Sequence, residues 1–466
     1  MITALCFVKE NEMQHKLELT RWLLGEDERL LYFIGGGGKT SAIRQVAEEC
    51  ARSGLKMLVA TSTKILMHEF ADYQPLQVGD DLGEKDIVRL SRIWLEGGIP
   101  VLYRETWPEK KKYIGHEPDL LEGMRHMLEE RLGEPVVLLV EADGARNLPL
   151  KAPYPHEPVI SKAGNVVVMI GSEILGEVIS EDNVYGYANL LAALKKEESF
   201  RLRPEDMTEL VLSEAGYMKN VGNKDRLRVI LNKAEPEKKR QLALETVQLL
   251  AQRGVRSKAV SLQQKEEYGI RLATLILAAG TSSRMGRDKQ MLTCGDMNFL
   301  EKTVSLYQGY GPRLVVLGHN REKIMEMSSL GDCLIVENPD YGQGMGSSLV
   351  AGLKAVRGAE IDGIWLTFCD MPHLKPKTLL DLYSHVLENP DKIVLPEFEG
   401  RRGHPAYLPS DLIEELMQVH GDMGARTVVR AHEDRLLLCP VDDRAVLEDL
   451  DREELYELVK RREGWK

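Results

Sequence analysis

Two stretches of this chain place small residues, cations and carboxylates at spacings suited to phosphate chemistry. In Leu272-Ala-Thr-Leu-Ile-Leu-Ala-Ala-Gly280 an apolar strand runs straight into small side chains, with Arg284 and Lys289 following. Small residues let backbone N–H groups approach an anion, and glycine at 280 and 286 permits dihedrals barred to other residues. Leu277, Ala278, Ala279 and Gly280 are therefore read as a wrap for triphosphate oxygens. Arg284 and Lys289 would neutralise charge building on a leaving pyrophosphate. An A-A-G turn alone suits an ordinary strand-to-helix connection, but the whole string L-A-A-G-x-S-x-R-M-G-x-x-K is far more restrictive. Further along, Gly363-Ile-Trp-Leu-Thr-Phe-Cys-Asp370-Met-Pro delivers a carboxylate at the end of a second apolar strand. Ligands of open α/β sheets bind beyond such ends. Asp370 can hold Mg²⁺, which favours one or two carboxylates plus phosphate oxygens and water; the plain alternative is a turn-capping aspartate before Pro372.

The other stretch is Leu31-Tyr-Phe-Ile-Gly35-Gly-Gly-Gly-Lys39-Thr40. The N–H groups of Gly36, Gly37 and Gly38, with a helix start behind them, make an anion site; Lys39 reaches terminal phosphates and Thr40 offers an oxygen to Mg²⁺. The pattern G-x-x-x-x-G-K-[ST] asks for glycine at 33, where Phe33 stands, so this is a deviant P-loop. A flexible glycine linker is the competing reading, but the run ends in Lys-Thr and enters a helix over 41–52. Asp143, in Glu141-Ala-Asp143-Gly, follows an apolar strand and can orient Mg²⁺ and its water. Thr61-Ser-Thr-Lys64 offers hydroxyls and a lysine to phosphate. Asn232-Lys233-Ala-Glu235 is like a base-reading N-K-x-D element with Glu in place of Asp, and a simple post-strand turn fits it equally. ATP or GTP is the ligand expected at this first site.

The elements that must carry these residues are short β-rich runs alternating with amphipathic stretches, which predicts α/β layers with mostly parallel sheets. Runs 30–34, 56–60, 136–140, 166–170 and 227–231 read as strands of a first domain. Runs 272–278, 314–317, 333–336, 364–368 and 393–395 read as strands of a second. Between them the polar stretch Ser261-Leu-Gln-Gln-Lys-Glu-Glu-Tyr-Gly-Ile-Arg271 serves as the boundary. The division is placed at 1–267, a P-loop-type α/β domain, and 268–466, a Rossmann-like domain. A chain of 466 residues exceeds what one core usually organises. The formal net charge of −12 argues against a broad nucleic-acid surface. The six cysteines are scattered without C-x-x-C spacing, which argues against structural zinc or a disulfide framework. No signal peptide or membrane-spanning run is apparent, and a cytoplasmic setting is expected.

At the level of whole motifs, the second half resembles the MobA-like NTP transferase family, and within it the MocA-like molybdenum cofactor cytidylyltransferase branch. The match rests on residues 277–286 with Lys289, Gly344-Met-Gly-Ser-Ser-Leu349 with Gly352, Cys369-Asp-Met-Pro372, Gly403-His-Pro405 and Gly421-Asp-Met-Gly-Ala-Arg426. The resemblance implies nucleotide binding at Leu277–Gly280, phosphate contact by Lys289, Mg²⁺ at Asp370 and a substrate pocket at Gly344, Gly346, Ser347, Gly403 and His404. A His before Pro is also commonly packed or solvent-facing, and no metal role is given to His404. The A-A-G spelling at Ala279, instead of A-G-G, is closer to the CTP-using branch. The ending Asp449-Leu-Asp-Arg-Glu-Glu-Leu455 departs from the family's D-I-D-T-P-E-D-L, so no second metal position is assigned to Asp449 or Asp451. The implied reaction is transfer of CMP from CTP to molybdopterin cofactor, with guanylyl transfer from GTP or transfer to a sugar phosphate as alternatives.

The first half resembles the YqeC-like family of accessory proteins for selenium-dependent molybdenum hydroxylases. That match rests on residues 35–40 and 61–64, Glu141-Ala-Asp-Gly-Ala-Arg146, Leu150-Lys-Ala-Pro153 and Asn232-Lys233. It implies nucleotide binding and, as a partner, a molybdenum hydroxylase apoenzyme. A rival from another class makes the chain a P-loop switch or delivery factor that docks that apoenzyme.

Overall fold

The computed structural model describes residues 14–24, 28–280 and 288–465, and the chain separates into two compact units, Met1–Gly269 and Ile270–Lys466. Arg284 and Gly286 lie outside the described residues.

The first unit is built on a ten-stranded sheet. Its strands are β1 (Gln14–Lys16), β2 (Leu30–Gly35), β3 (Lys56–Thr61), β4 (Gln74–Gln77), β5 (Pro100–Tyr103), β6 (Val136–Glu141), β7 (Asn165–Gly171), β8 (Leu227–Asn232), β9 (Arg256–Ser261) and β10 (Glu266–Tyr268). They lie in the order β1-β10-β9-β8-β7-β2-β6-β3-β5-β4. From β9 to β4 all neighbours are parallel. Parallel strands are covered on both faces, so they read as continuous apolar runs, and β2, β6, β7 and β8 are buried at every position. Helix α1 (Lys39–Arg52) follows β2 directly and buries Ala42, Ile43, Val46, Ala47 and Cys50 against the sheet core.

The second unit has an eight-stranded sheet. It contains β11 (Leu272–Leu277), β12 (Arg313–Leu317), β13 (Leu334–Glu337), β14 (Gly363–Phe368), β15 (Ile393–Phe398), β16 (Arg401–Arg402), β17 (Ala406–Pro409) and β18 (Leu436–Pro440). The order is β13-β12-β11-β14-β17-β15-β16, with β18 added beside β15. The first four strands run parallel, and β17 turns antiparallel against β14. Connections from β11 leave toward β12 on one side while β14 lies on the other, which creates a crevice at the C-terminal ends of β11 and β14. The chain thus has the α/β architecture with mostly parallel sheets that its alternating pattern predicts.

Every run read as a strand forms one, with ends shifted by a residue or a few. The boundary stretch is different: β10 lies within it and pairs antiparallel with β9 and β1. Three residues carrying Glu266 and Glu267 leave no alternation to read. The strand is held instead by the Lys258–Glu267 ion pair and by Arg240 over the Tyr268 ring, 4.4 Å from its centroid. β1, β4, β5, β9, β16, β17 and β18 likewise fall on none of the predicted runs. No helix among the described residues is long and apolar enough to cross a membrane.

The core of the second unit constrains one glycine directly. Trp365 and Tyr407 face each other across β14 and β17, with ring centroids 5.7 Å apart, and the Tyr407 hydroxyl donates to the Pro390 carbonyl at 2.7 Å. A Cβ at Gly363 would stand 2.3 Å from the Tyr407 ring. Gly363→Ala is expected to destabilise this unit by about 1–3 kcal/mol through overpacking, read as a lower denaturation midpoint in urea with an unchanged m-value.

Candidate functional site

In the first unit, β2 feeds Gly35–Gly38 into α1, and charged side chains converge beneath the turn. Lys39 is only 7% exposed. Its Nζ donates to the Gly35 carbonyl at 2.7 Å and stands 3.1 Å from Asp143 Oδ1 and 4.0 Å from Glu141 Oε1. The Gly35 N–H donates to Asp143 Oδ2 at 3.0 Å, and Thr40 Oγ1 lies 3.5 Å from Glu141 Oε2. Burial would by itself lower the pKa of Lys39, but Asp143 and Glu141 outweigh it and raise the value. Burial pushes Glu141 up to about 7 against the opposing pull of Lys39. Gly36, Gly37, Gly38, Lys39, Thr40 and Asp143 are therefore gathered at one place.

The glycine run has a cause beyond ligand approach. A Cβ on Gly36 would meet the Leu148 carbonyl at 2.5 Å, and one on Gly37 would meet the Gly171 nitrogen at 2.1 Å. Gly37 also has φ +73° and donates its N–H to Leu148. Backbone from 148–149 and the end of β7 thus crosses directly over the turn. Asn232 is brought to the same loop as a brace: its Nδ2 donates to the Gly37 carbonyl at 2.8 Å and its Oδ1 accepts from Leu262 N–H at 3.0 Å. Lys233 pairs with Glu173. Both ends of the Asn232 amide are engaged with backbone, so the side chain braces the glycine loop. The hydroxyls of Thr61 and Ser62 likewise donate to the backbone carbonyls of Glu141 and Val159.

Lys151 was quoted only within a motif, yet it is fully buried. Its ammonium lies 3.3 Å from Asp143 Oδ2 and 2.8 Å from Glu157 Oε1, and donates to the Gly144 carbonyl at 2.7 Å. Asp143 is held between two lysines. A lone lysine inside Leu150-Lys-Ala-Pro153 was the available signal.

In the second unit a cavity of 760 Å³ opens at the crevice between β11 and β14. Leu277, Ala278, Ala279 and Gly280 form one side, and Lys289, Asp370, Gly344 and His404 also line it. Gln290, buried behind the loop, donates to the carbonyls of Ala278 (2.8 Å) and Gly280 (3.2 Å) and holds its course. Contrary to expectation, Gly280 has no positive φ, and a Cβ there would meet nothing among the described residues. No described residue requires its small size. Helix α2 (Met345–Val356) aims its N-terminus at the cavity, where Gly344, Met345 and Ser348 line the wall. That end carries the positive pole of the helix and unpaired N–H groups. Gly346 and Ser347, expected in the pocket, do not line it. Gly346 packs on the backbone at Gly421, and the single Ser347 hydroxyl hydrogen is directed at the carbonyls of Asp340 and Gly344, 2.9 and 2.8 Å away. The turn of the helix places Ser348 inward instead.

Lys289 ion-pairs with Asp370. Burial disfavours its charge, but Asp370 overcomes this, with a smaller contribution from Asp449, and the ammonium is pushed up to about 12. Asp449 also lines the cavity; burial first, then Asp370, pushes it up to about 6. Two carboxylates therefore share one site, although the divergent C-terminal motif had assigned none to Asp449. Asp370 Oδ1 is buried with no hydrogen-bond partner among the described residues. No group of three or more His, Cys, Asp or Glu that could cage a metal occurs among the described residues. Two carboxylates beside a phosphate-sized space are the donor set that suits magnesium. His404 is held down to about 4, by burial first and then by Arg426, so it is neutral at pH 7; its ring stands edge-on to Phe368 at 4.7 Å.

A second cavity of 370 Å³ adjoins the first and contains Gly403. Met345, Phe368, His404, Arg426 and Asp449 belong to both walls. Its far side combines Arg401, Arg402 and Arg430 with Leu366, Leu395 and Val429. It suits an anion attached to a flat or apolar body.

Comparison with known proteins matches a separate family model to each half of the chain. A model described as MobA-like NTP transferase domain matches residues 274–436, and one described as YqeC protein matches residues 31–188. The chain is 29% identical to YqeC of Escherichia coli (strain K12) over 42% of its own length and 74% of that protein. It is 31% identical to the molybdenum cofactor cytidylyltransferase of the same organism, over 31% of this chain and 73% of that one. It is 30% identical to nicotine blue oxidoreductase of Paenarthrobacter nicotinovorans, over 40% and 95% of the two chains.

If packing dictates the glycine run, Gly37→Ala should lower the melting temperature of the first unit, whereas Gly280→Ala should leave that of the second unchanged. Calorimetry of the full chain reads both. Lys151→Met leaves Asp143 and Glu157 with a lost buried partner and is expected to cost about 3–5 kcal/mol in stability, measured by denaturant unfolding.

Proposed function

The chain belongs to the MobA-like NTP transferase domain family through residues 274–436, and from that premise we propose that its second unit transfers CMP from CTP to the terminal phosphate of molybdopterin cofactor. The observation that carries this reading is the meeting of Lys289, Asp370 and Asp449 at the mouth of a cavity whose other walls are the loop Leu277–Gly280 and the N-terminus of α2. A relative of similar identity is named as an oxidoreductase, so the residues themselves must distinguish the reactions. A paired lysine with two carboxylates in a phosphate-sized pocket supports nucleotidyl transfer.

In this reading the triphosphate lies along Ala278–Gly280, with its charge met by Lys289 and by the α2 terminus. An acceptor phosphate oxygen attacks the α-phosphorus in line. The new P–O bond forms as the bond to the β-phosphate breaks, and pyrophosphate leaves with the electron pair. Asp370 and Asp449 would hold Mg²⁺, which stabilises charge developing on the transferred phosphoryl group. Arg426, shared by the two cavities, orients the acceptor phosphate, and the arginine-lined second cavity takes the remainder of the cofactor. Neutral His404 fills the wall between them without adding charge. Little covalent protein chemistry is needed, because positioning and charge stabilisation supply most of the acceleration.

The choice of CTP follows the Ala279 spelling of the loop; the guanylyl reading uses the same groups with a different base. The first unit is read as an accessory nucleotide-binding domain for ATP or GTP, built around Lys39, Thr40 and Asp143. A molybdenum hydroxylase apoenzyme, with a selenium-dependent one as the specific case, is the expected recipient.

Pyrophosphate release should require molybdopterin cofactor and be fastest with CTP among CTP, GTP, UTP and ATP; a preference for GTP would overturn the cytidylyl assignment. Asp370→Asn is expected to lower kcat by about 10²–10³-fold and Asp449→Asn by at least about tenfold. Lys39→Ala should leave this release unchanged. Undiminished turnover by Asp370→Asn would refute the mechanism.

A further inference from the structure

Three side chains of the proposed centre come from segments far apart in the chain, and one terminal element, with the residues flanking it, touches all three segments. It is α3 (Glu453–Glu463), the last helix. Toward the Lys289 segment, the Tyr456 hydroxyl donates to the Thr293 carbonyl at 3.0 Å, and Tyr456 and Val459 share a buried cluster with Leu292, Cys294, Phe299 and Leu450. Toward the Asp370 segment, the Leu450 N–H donates to the Asp370 carbonyl itself at 3.0 Å. The ring of Trp465, just past the helix end, stands edge-on to His373, 6.4 Å between centroids.

The third tie runs through Glu448, next to Asp449. Its carboxylate accepts a two-pronged pair from Arg462, Nη2 to Oε2 at 2.8 Å and Nη1 to Oε1 at 3.2 Å. The same Oε2 lies 3.1 Å from Nε2 of His373, whose side chain is fully buried. Glu448 therefore joins the loop after Asp370 to the loop carrying Asp449; Arg462 grips both of its oxygens from the helix, while Arg444 Nε meets Oε1 alone at 3.0 Å. A planar guanidinium gripping both carboxylate oxygens constrains rotation as well as distance.

We propose that α3 is the positioning element of the catalytic centre, and that Arg462, acting through Glu448, sets the placement of Asp449 relative to Asp370. This rests on the reading of Lys289, Asp370 and Asp449 as the metal and phosphate centre. Two considerations separate positioning from mere stability. Without Arg462 the buried Glu448 carboxylate keeps Arg444 and His373 as partners, so it is not left as an uncompensated charge, and the packing of Leu450, Tyr456 and Val459 does not depend on the pair. Groups that orient metal ligands, in contrast, commonly cost about 10–100-fold in affinity or activity when removed. Arg462 is thus a positioning residue whose loss should register in metal affinity far more than in unfolding.

The test uses the full chain with Mn²⁺ as probe. Bound Mn²⁺ is measured by electron paramagnetic resonance in the presence of CTP, alongside the metal dependence of pyrophosphate release and the melting temperature. Arg462→Gln is expected to weaken Mn²⁺ binding about tenfold or more with only a small fall in melting temperature. Arg462→Lys, which keeps the charge without the two-pronged grip, should recover part of the affinity. It also carries the test, with a smaller shift, should Arg462→Gln fail to fold. Unchanged Mn²⁺ affinity in Arg462→Gln, or equal affinities in folded Arg462→Lys and the parent, would overturn the positioning role. Asp370→Asn in the same titration separates the two ideas. If it too binds Mn²⁺ as the parent does, the centre is misassigned and the proposal falls with it; if it alone loses binding, only the role of Arg462 is rejected.

Discussion

A lysine ammonium withdrawn from water has to be set against a carboxylate, and each unit of this chain is arranged around such a pair. Lys39 lies against Asp143 and Lys289 against Asp370. In both cases the carboxylate follows the C-terminal end of a buried parallel strand, β6 or β14, and the lysine follows a loop leaving the adjacent strand, β2 or β11. The geometry is a consequence of parallel sheets, whose connecting loops gather at one edge. The unpaired alternative is ruled out by the cost of an isolated buried charge.

The two units resolve this constraint differently. In the first, the pair is closed in by protein. Asp143 is shared with Lys151, Lys39 also holds the Gly35 carbonyl, and the backbone at 148–149 crosses the glycine turn. In the second, the pair faces a 760 Å³ cavity, and Asp449 brings a further negative group to it. A buried charge cluster enclosed by backbone favours rigidity, even though its two lysines meet three carboxylates, Glu141, Asp143 and Glu157. One with excess carboxylate beside open space is suited to a cation and a polyphosphate.

The adjoining cavity extends the same logic. Arg426 and Asp449 stand on the wall common to both spaces, so a group bound in one chamber is placed against a group bound in the other. α3 and the residues before it then tie the pieces from behind: Tyr456 reaches the Lys289 segment, Leu450 the Asp370 segment, and Arg462 holds Glu448 beside Asp449.

Much of this was legible in the residues alone. The buried parallel strands are continuous apolar runs, and the glycine and alanine turns follow them without interruption, so the fold class and the groups around Lys39, Lys289 and Asp370 could be read directly. Local pattern did not reveal β10, whose three residues lack alternation, nor the inward turn of Ser348 in place of Ser347. It read the glycines at 36 and 37 only as an anion site, whereas backbone at Leu148 and Gly171 also requires them to be small, and asked an unusual dihedral of Gly280 that it does not adopt. Asp449 and Lys151 were missed for one shared reason. Their neighbours in sequence say little, while their partners lie 79 and 8 residues away, at Asp370 and Asp143, so their roles exist only once the loops meet. The sequence by itself determined which strands form and which loops could take phosphate, because both depend on local side-chain size and apolar runs. Tertiary structure alone decided which charges face each other and which loops close over protein instead of a cavity, because Coulombic and steric matching act through space and not along the chain.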